Sequence, residues 1–237
     1  MGLIGYFSAE IGLESDLPTY SGGLGVLAGD HVKSAADAEI DLVAVTLLYR
    51  KGYCLQKLDQ LGNQIDQSVS YEPCDFLENT NQSFSMQIHN ESVHVGIWKK
   101  EIIGSTGHHV PIYFLDTNHP SNSQAMKDLT GHLYGGDDRN RVCQEILLGV
   151  GGVRTFELME HEITGMHLNE GHCTFALLEK AKSWGREEVR KRTLFTTHTP
   201  VPAGHDRFEW DLVEELLGAL LPTDAKQMVK DAGDEEE

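Results

Sequence analysis

Three polar clusters in the sequence contain residue types that could bind a sugar or an anion. In the first, SGGLG, the glycines Gly22, Gly23 and Gly25 come just before an amphipathic run. Consecutive glycines let backbone N–H groups approach a ligand without a Cβ in the way, and the N-terminus of a following helix adds partial positive charge. The cluster therefore predicts a loop that binds an anion or a sugar, with a simple tight turn as the alternative.

The same glycines also fit a dinucleotide pattern, G-x-G-x-x-A, through Gly23, Gly25 and Ala28. That fingerprint requires its glycines to follow a strand directly. Here a long loop containing Pro18 separates the predicted strand ending at Ser8 from the glycines. The cluster by itself leaves a nicotinamide cofactor and a sugar phosphate both open.

Two further clusters come directly after predicted strands, where ligands bind in α/β sheets. HLNEGH offers Asn169, Glu170 and His172 to a polyhydroxy ligand, unless Asn169 caps the next helix and His172 only packs. TTHTPVPAGHDRF places His198 at a strand end. Pro200 and Pro202 stiffen the backbone that follows, which suits the presentation of main-chain carbonyls to a substrate but also suits a rigid turn.

The segment LYGGDDRNRV joins a glycine turn to a charged helix start. Asp137 and Asp138 suit a helix N-terminus, where acidic side chains oppose the helix dipole. We expect Arg139 and Arg141 to pair with these two acids rather than with an anionic ligand.

The composition restricts the partners. The net charge is −18, from 37 acidic and 19 basic residues, which argues against nucleic acid or an anionic membrane as a main partner. The twelve histidines lack the H-E-x-x-H spacing, and the four cysteines form no C-x-x-C pair, so we expect no metal site. No run of apolar residues is long enough to span a membrane, and the scattered cysteines favour a reduced, cytoplasmic protein.

Strand and helix patterns alternate along most of the chain, which predicts an α/β fold with a mostly parallel sheet. Alternating polar and apolar residues over about 53–105 predict an inserted antiparallel β segment, as hairpins or as an excursion from the main sheet. Elsewhere the patterns predict strands at 3–8, 42–48, 110–116, 163–168 and 192–199, and helices at 24–38, 141–161, 172–184 and 208–221.

Five blocks in this order and spacing resemble the α-glucan (glycogen/maltodextrin) phosphorylases of the shorter bacterial and archaeal branch. They are YFSAEIGL, LPTYSGGLGVLAGDHVKSAAD, LYGGDDRNRVCQEILLGVGG, HLNEGHCTFALLE and FTTHTPVPAGHDRF, and the resemblance extends from Leu3 to about Pro222. It implies that residues 1–237 are part of the N-terminal, Rossmann-like lobe of a GT-B-type glycosyltransferase. The C-terminal lobe, which holds the cofactor, is not in this chain.

The resemblance also implies an activity. Members of the family cleave terminal α-1,4-linked glucose from a glucan with inorganic phosphate and yield α-glucose 1-phosphate with retained configuration. Their cofactor is pyridoxal 5'-phosphate, whose phosphate group exchanges a proton with the substrate phosphate. The implied partners are an α-glucan and phosphate or glucose 1-phosphate, and homodimers are common in the family.

Individual residues take their expected roles from the matching family motifs. His198 corresponds to the histidine whose main-chain carbonyl faces the glucose and stabilises an oxocarbenium-like transition state. The glycine loop that contacts phosphate and glucose in the family corresponds to Gly22, Gly23, Leu24 and Gly25. The motif lining the sugar cleft corresponds to Asn169, Glu170 and His172. The mobile gate loop corresponds to Tyr134, Gly135, Gly136 and Asp137.

The lysine that forms the Schiff base in the family lies in the C-terminal lobe, so we expect the isolated chain to be inactive. A starch or glycogen synthase of the same fold is one alternative. That family has a lysine shortly before its glycines, where this chain has Thr19, Tyr20 and Ser21. A glucan-binding remnant without catalysis is the other.

Overall fold

In the part of the chain that the structure describes, nine short runs form strands, and seven of them pair in one mixed sheet. The computed structural model describes residues 2–67, 69, 71–198 and 206–223, without the side chain of Leu55. Pro200 and Pro202 therefore lie outside the described residues. The strands are β1 (Ile4–Ser8), β2 (Leu42–Leu47), β3 (Leu55–Leu58), β4 (Gln64–Gln67), β5 (Glu78–Ile88), β6 (Glu91–Ile103), β7 (His109–Asp116), β8 (Gly165–Asn169) and β9 (Thr193–Thr196).

The order of strands in the large sheet is β5-β6-β7-β2-β1-β8-β9. The five strands from β7 to β9 run parallel, whereas β5 and β6 are antiparallel to their neighbours. The expected α/β fold with a mostly parallel sheet is thus confirmed. Most of the predicted insertion at 53–105 extends this same sheet, and only β3 and β4 form a separate hairpin.

Helices cover both faces of the sheet. No helix within the described ranges is long and apolar enough to cross a lipid bilayer. Short α2 and α6 were not predicted, because each spans fewer than two helical turns and shows little periodicity. The helices are α1 (Gly23–Asp37), α2 (Gln124–Asp128), α3 (Asp138–Ile146), α4 (Gly152–Leu158), α5 (Phe175–Trp184), α6 (Arg186–Lys191) and α7 (Trp210–Leu217).

The long helix predicted at 141–161 is interrupted by a wider turn. A π-helical segment, Leu147–Gly151, joins α3 to α4 without breaking the helical run. Gly149 lies against the start of α5, and a Cβ on it would be 2.5 Å from the backbone nitrogen of Ala176. Gly149 therefore allows the π-helical segment and α5 to pack closely.

Two hydrophobic cores lie on opposite faces of the sheet. Successive side chains of a strand point to opposite faces, so Tyr6 packs in the core under α1 and Phe7 in the core under α3, α4 and α5. All six residues of β2 are buried, as expected for a central strand covered on both sides. These cores fix the position of β1 at the centre of the parallel region.

Helix α1 packs unusually closely on the loop that precedes it. In the loop 9–22, the backbone N–H of Gly12 donates to the carbonyl oxygen of Gly25 over 2.7 Å. A Cβ on Gly29 would lie only 1.8 Å from the carbonyl oxygen of Gly12, so this position accepts no side chain unless the backbone moves. By contrast, a Cβ on Gly23, in the first turn of the same helix, would meet nothing within 4 Å.

We expect Gly29→Ala to lower the free energy of unfolding of this chain by about 2 kcal/mol or more, because overpacking forces backbone shifts. The matched variant Gly23→Ala should change it by less than about 1 kcal/mol, since alanine favours helix and meets no neighbour there. Urea unfolding followed by circular dichroism measures both. Equal stability of the two variants would contradict the close packing of α1 on the loop.

Candidate functional site

The carboxyl ends of β1, β8 and β9 lie side by side and bring together residues that are distant in sequence. In the parallel register Ser8 is paired with Asn169, and Asn169 with Thr196. The residues that follow these strands, Glu10, Glu170 and His198, therefore lie at one edge of the sheet. This edge is where open α/β sheets bind their ligands.

His198 is held at this edge by two neighbours on β8 and just beyond it. Its ring atom Nε2 lies 2.9 Å from Oδ1 of Asn169. Its backbone N–H donates to Oε1 of Glu170 over 2.5 Å, and the hydroxyl of Thr197 donates to Oε2 of the same carboxylate over 3.0 Å. Both side chains on the β8 side are about 1% exposed. Glu170 therefore holds the backbone of His198, and Asn169 holds its ring.

Asn169 also extends the contact toward β1. Its Nδ2 donates to Oγ of Ser8 over 3.0 Å, and that hydroxyl donates to the carbonyl oxygen of Glu10 over 2.7 Å. The nitrogen and the oxygen of the Asn169 amide thus each make one bond to another strand end. Asn169 therefore joins three strand ends and does not cap a helix. A continuous hydrogen-bonded path thus leads from His198 to Glu10.

The Glu10 carboxylate connects this path to the glycine loop and to Tyr134. Its Oε2 accepts the backbone N–H of Ser21 over 2.6 Å and the hydroxyl of Ser21 over 3.3 Å. Its Oε1 accepts the phenol of Tyr134 over 2.6 Å. Because Glu10 is only 2% exposed, these donors replace the water that its carboxyl oxygens would otherwise bind.

The glycines of the loop have two different environments. A Cβ on Gly22 or Gly23 would meet nothing within 4 Å, so packing does not explain the absence of side chains there. A Cβ on Gly25 would lie 2.3 Å from Cβ of Tyr20 and 2.8 Å from Oε2 of Glu10, and the neighbouring Leu24 is half-buried. Gly22 and Gly23 thus have open space beside the first turn of α1, whereas Gly25 makes room for protein groups.

The long loop 9–22 between β1 and α1 also bears on the dinucleotide alternative. A dinucleotide fold requires its glycines in the tight turn directly after the first strand. Here β1 ends at Ser8 and α1 begins at Gly23. This separation disfavours a nicotinamide cofactor.

The Tyr134 segment, residues 134–137, is anchored at both ends. Tyr134 has a φ of 56° and is half-buried, with its ring 5.9 Å from that of His172 and the guanidinium of Arg141 4.9 Å above it. At the other end, Asp137 caps α3 by accepting the backbone N–H of Asn140 over 3.0 Å. Between them, Gly135 accepts a bond from the Asn140 side chain, and Gly136 has a φ of 89°.

The expected pairing of Arg139 and Arg141 with Asp137 and Asp138 is wrong. Arg139 bonds Glu215 of α7 over 2.7 Å, and Arg141 bonds Asp206. Asp137 is occupied as a helix cap instead. Long arginine side chains reach acids from distant parts of the chain, which the local sequence does not reveal.

Arg141 and Asp206 belong to a charged group next to Tyr134, in which Glu145 is buried while Arg141 and Asp206 are partly exposed. Burial opposes ionisation of Asp206, but the hydrogen bond and charge of Arg141 outweigh it and lower the pKa of Asp206. Burial, together with this neighbouring carboxylate, raises the pKa of Glu145 to about 9. The ring of His172 lies at the same place, with Nε2 3.6 Å from Asp206, and burial lowers its pKa. Glu145 is therefore protonated at neutral pH, and Asp206 is ionised.

The sequence had indicated most of the residues at this edge, but not those that join them. Ser8, Glu10 and Glu145 were not among the candidate residues. The only signal was the position of Ser8 and Glu10 at the end of a predicted strand within a family block. In the described part of the chain, no group of three or more His, Cys, Asp or Glu side chains could hold a metal ion.

The pKa of Glu145 predicts a pH dependence of stability. In the unfolded chain this carboxyl ionises near its ordinary value of 4.5, whereas in the folded protein it keeps its proton to about pH 9. The folded state therefore binds more protons between these values. This contribution to stability is complete below pH 4.5 and is lost as the pH rises toward 9, by up to about 1.4 kcal/mol per pH unit.

We expect Glu145→Gln to remove this contribution, because the amide has the same shape and does not ionise. Urea unfolding of both proteins at pH 5, 6.5 and 8 measures it. The difference in stability should move in favour of the variant as the pH rises, since all other titrating groups are common to both. A constant difference across this range would show that Glu145 is ionised in the folded protein.

Several curated proteins are similar to this chain over most of its length. No protein-family model matches the chain. The chain is 38% identical over 229 residues to the maltodextrin phosphorylase of Thermococcus litoralis, a match that covers 91% of this chain and 27% of that protein. It is 38% identical over 239 residues to the glycogen phosphorylase of Mycobacterium tuberculosis, with 90% of this chain and 27% of the relative covered.

The glycogen phosphorylase of Aquifex aeolicus is 32% identical over 226 residues, which cover 89% of this chain and 32% of the relative. The chain thus spans about a quarter to a third of the length of these curated relatives. The resemblance found in the sequence is confirmed: over about nine-tenths of its length, this chain is a homologue of the maltodextrin and glycogen phosphorylases.

Proposed function

We propose that this chain is part of the N-terminal lobe of a GT-B-type α-glucan phosphorylase. The complete enzyme would transfer terminal α-1,4-linked glucose from glycogen or maltodextrin to inorganic phosphate and release α-glucose 1-phosphate with retained configuration. The similarity to enzymes named maltodextrin and glycogen phosphorylase supports the proposal. The observation that carries it is the open backbone at Gly22 and Gly23. The adjacent Ser21 is connected to His198 through the hydrogen bonds of Glu10, Ser8 and Asn169.

In this proposal, backbone N–H groups at Gly22 and Gly23 bind the phosphate and the glucose. The first turn of α1 has no acidic residue and no side-chain cap, so its N–H groups and its partial positive charge are suited to an anion. The carboxylate of Glu10 lies below the loop and is satisfied by Ser21 and Tyr134. An acidic chain can therefore offer N–H donors to phosphate at this point.

His198 acts through its main chain in this proposal. A carbonyl oxygen near the anomeric carbon stabilises the positive charge that develops when a glycosidic bond breaks. Glu170 holds the backbone N–H of His198 and Asn169 holds its ring, which fixes the peptide without a direct role in bond cleavage. His172 would contribute by packing beside Tyr134 at the rim of the sugar cleft.

Residues 134–137 would act as the gate over the sugar cleft. Gly136, with its positive φ, allows the turn between the two anchored ends. A homodimer of the full-length enzyme follows only from the resemblance, and a cytoplasmic location follows only from the scattered cysteines; both stay predictions.

The described residues at this edge do not fit pyridoxal phosphate attachment. Among them, no lysine bonds to Glu10, Tyr134, Asn169 or His198, and the guanidinium of Arg141 is paired with Asp206. We therefore assign the cofactor of the complete enzyme to a part outside this chain. For the same reason, the isolated chain should be inactive.

We expect catalysis from a chimera in which this chain replaces the segment that it matches in the Thermococcus litoralis maltodextrin phosphorylase. The assay is release of glucose 1-phosphate from maltoheptaose and inorganic phosphate. Gly23→Ala in the chimera should lower kcat/KM for phosphate by about tenfold or more, since the methyl group occupies the space of the ligand. Val26→Ala, on the exposed side of the same helix, is the matched control and should keep the activity of the chimera.

The outcomes separate the alternatives. A folded chimera that binds maltodextrin but releases no glucose 1-phosphate would favour a glucan-binding remnant. Transfer of glucose from a nucleotide sugar instead of to phosphate would favour a synthase. A Gly23→Ala chimera as active as its parent would contradict the role of the glycine loop.

The isolated chain should release no glucose 1-phosphate from maltoheptaose and phosphate, with or without added pyridoxal phosphate. The parent phosphorylase in the same assay is the positive control. Phosphorolysis by the purified chain at a rate above the buffer blank would show that this part of the enzyme is catalytic by itself.

A further inference from the structure

The Glu10 carboxylate bonds two segments that are far apart in sequence. Ser21, at the start of the glycine loop, binds one oxygen, and Tyr134, 124 residues after Glu10, binds the other. Both of these distances are 2.6 Å, which is short for a bond from a backbone N–H and ordinary for a bond from a hydroxyl. Residues 21–25, the glycine loop, and residues 134–137, the Tyr134 segment, therefore share one anchor.

The surroundings of Glu10 are built for this contact. The side chain is 2% exposed, so water does not compensate for a lost partner. Gly25 leaves the space that Oε2 occupies, since a Cβ there would lie 2.8 Å from that oxygen. The guanidinium of Arg141 lies over the Tyr134 ring, 4.9 Å from its centre, and this contact helps to hold the phenol beside Glu10.

We propose that Glu10 is a positioning residue that couples the glycine loop to the Tyr134 segment, so that loss of one bond releases both segments. Its consequence for phosphate binding rests on the proposed function, whereas the coupling itself does not. A purely local role would give a different result, because each segment would then keep its own order when the other bond is removed.

Amide hydrogen exchange of this chain, read by mass spectrometry, tests the coupling without any catalysis. Tyr134→Phe removes only the phenol that binds Oε1 of Glu10. We expect the Ser21 amide, whose N–H donates to the other oxygen of the same carboxyl group, to exchange about tenfold faster, as for the loss of a hydrogen bond. Tyr113→Phe is the matched control, because it removes a buried phenol bonded to His161 over 2.8 Å on the other side of the molecule.

Glu10→Gln should raise exchange at Ser21 and at Asn140, whose N–H is bonded to Asp137 of the Tyr134 segment. Should that variant not fold, Tyr134→Phe decides alone, since it changes no charge and no buried volume other than the hydroxyl. Unchanged exchange at Ser21 in Tyr134→Phe, or equal acceleration there in Tyr113→Phe, would overturn the proposal.

A second readout links the coupling to binding. In the chimera with the Thermococcus litoralis enzyme, Tyr134→Phe should raise KM for phosphate about tenfold and change kcat less, while Tyr113→Phe leaves both unchanged. Faster exchange together with an unchanged KM would support the coupling and contradict the proposed role of the glycine loop. The failure of either proposal is thus distinguishable from the failure of the other.

Discussion

The parallel pairing of β1 with β2 on one side and with β8 on the other is the constraint on which the rest of the structure depends. It aligns the carboxyl ends of these strands with that of β9, so that Ser8, Asn169 and His198 lie within hydrogen-bonding distance. The two hydrophobic cores on either face of the sheet hold this register, because a slip of one residue would exchange Tyr6 and Phe7 between them.

Buried carboxylates, not cations, organise this edge of an acidic chain. Glu10 and Glu170 each accept backbone N–H and hydroxyl donors, and in this way they turn peptide groups into fixed positions. Glu145 is buried beside the ionised Asp206, and it keeps its proton because a negative charge there would be both buried and close to that of Asp206. The carboxyl groups of Glu10 and Glu170 thus bind donors inside the protein. The open side of the glycine loop presents backbone N–H groups instead.

The sequence predicted the sheet and the positions of the polar clusters, and it failed where contacts are made at a distance. The apolar runs of β1 and β2 and the glycines before α1 are local signals, and their elements appear within one residue of the predicted bounds. The partners of Arg139 and Arg141 were predicted wrongly because the nearest acids in sequence are not the nearest in space. The short helices α2 and α6 were missed because a helix of fewer than two turns shows too little periodicity to detect.

The sequence by itself determined the α/β class, the family resemblance, the two polar clusters at strand ends and the glycine cluster before α1, since each depends on residue type and short spacing. Only the tertiary structure decided that Gly22 and Gly23 face open space while Gly25 makes room for Glu10. It also decided that Glu10 joins the glycine loop to Tyr134. The reason is physical: these contacts are made between segments up to 124 residues apart, and they depend on which strands lie side by side.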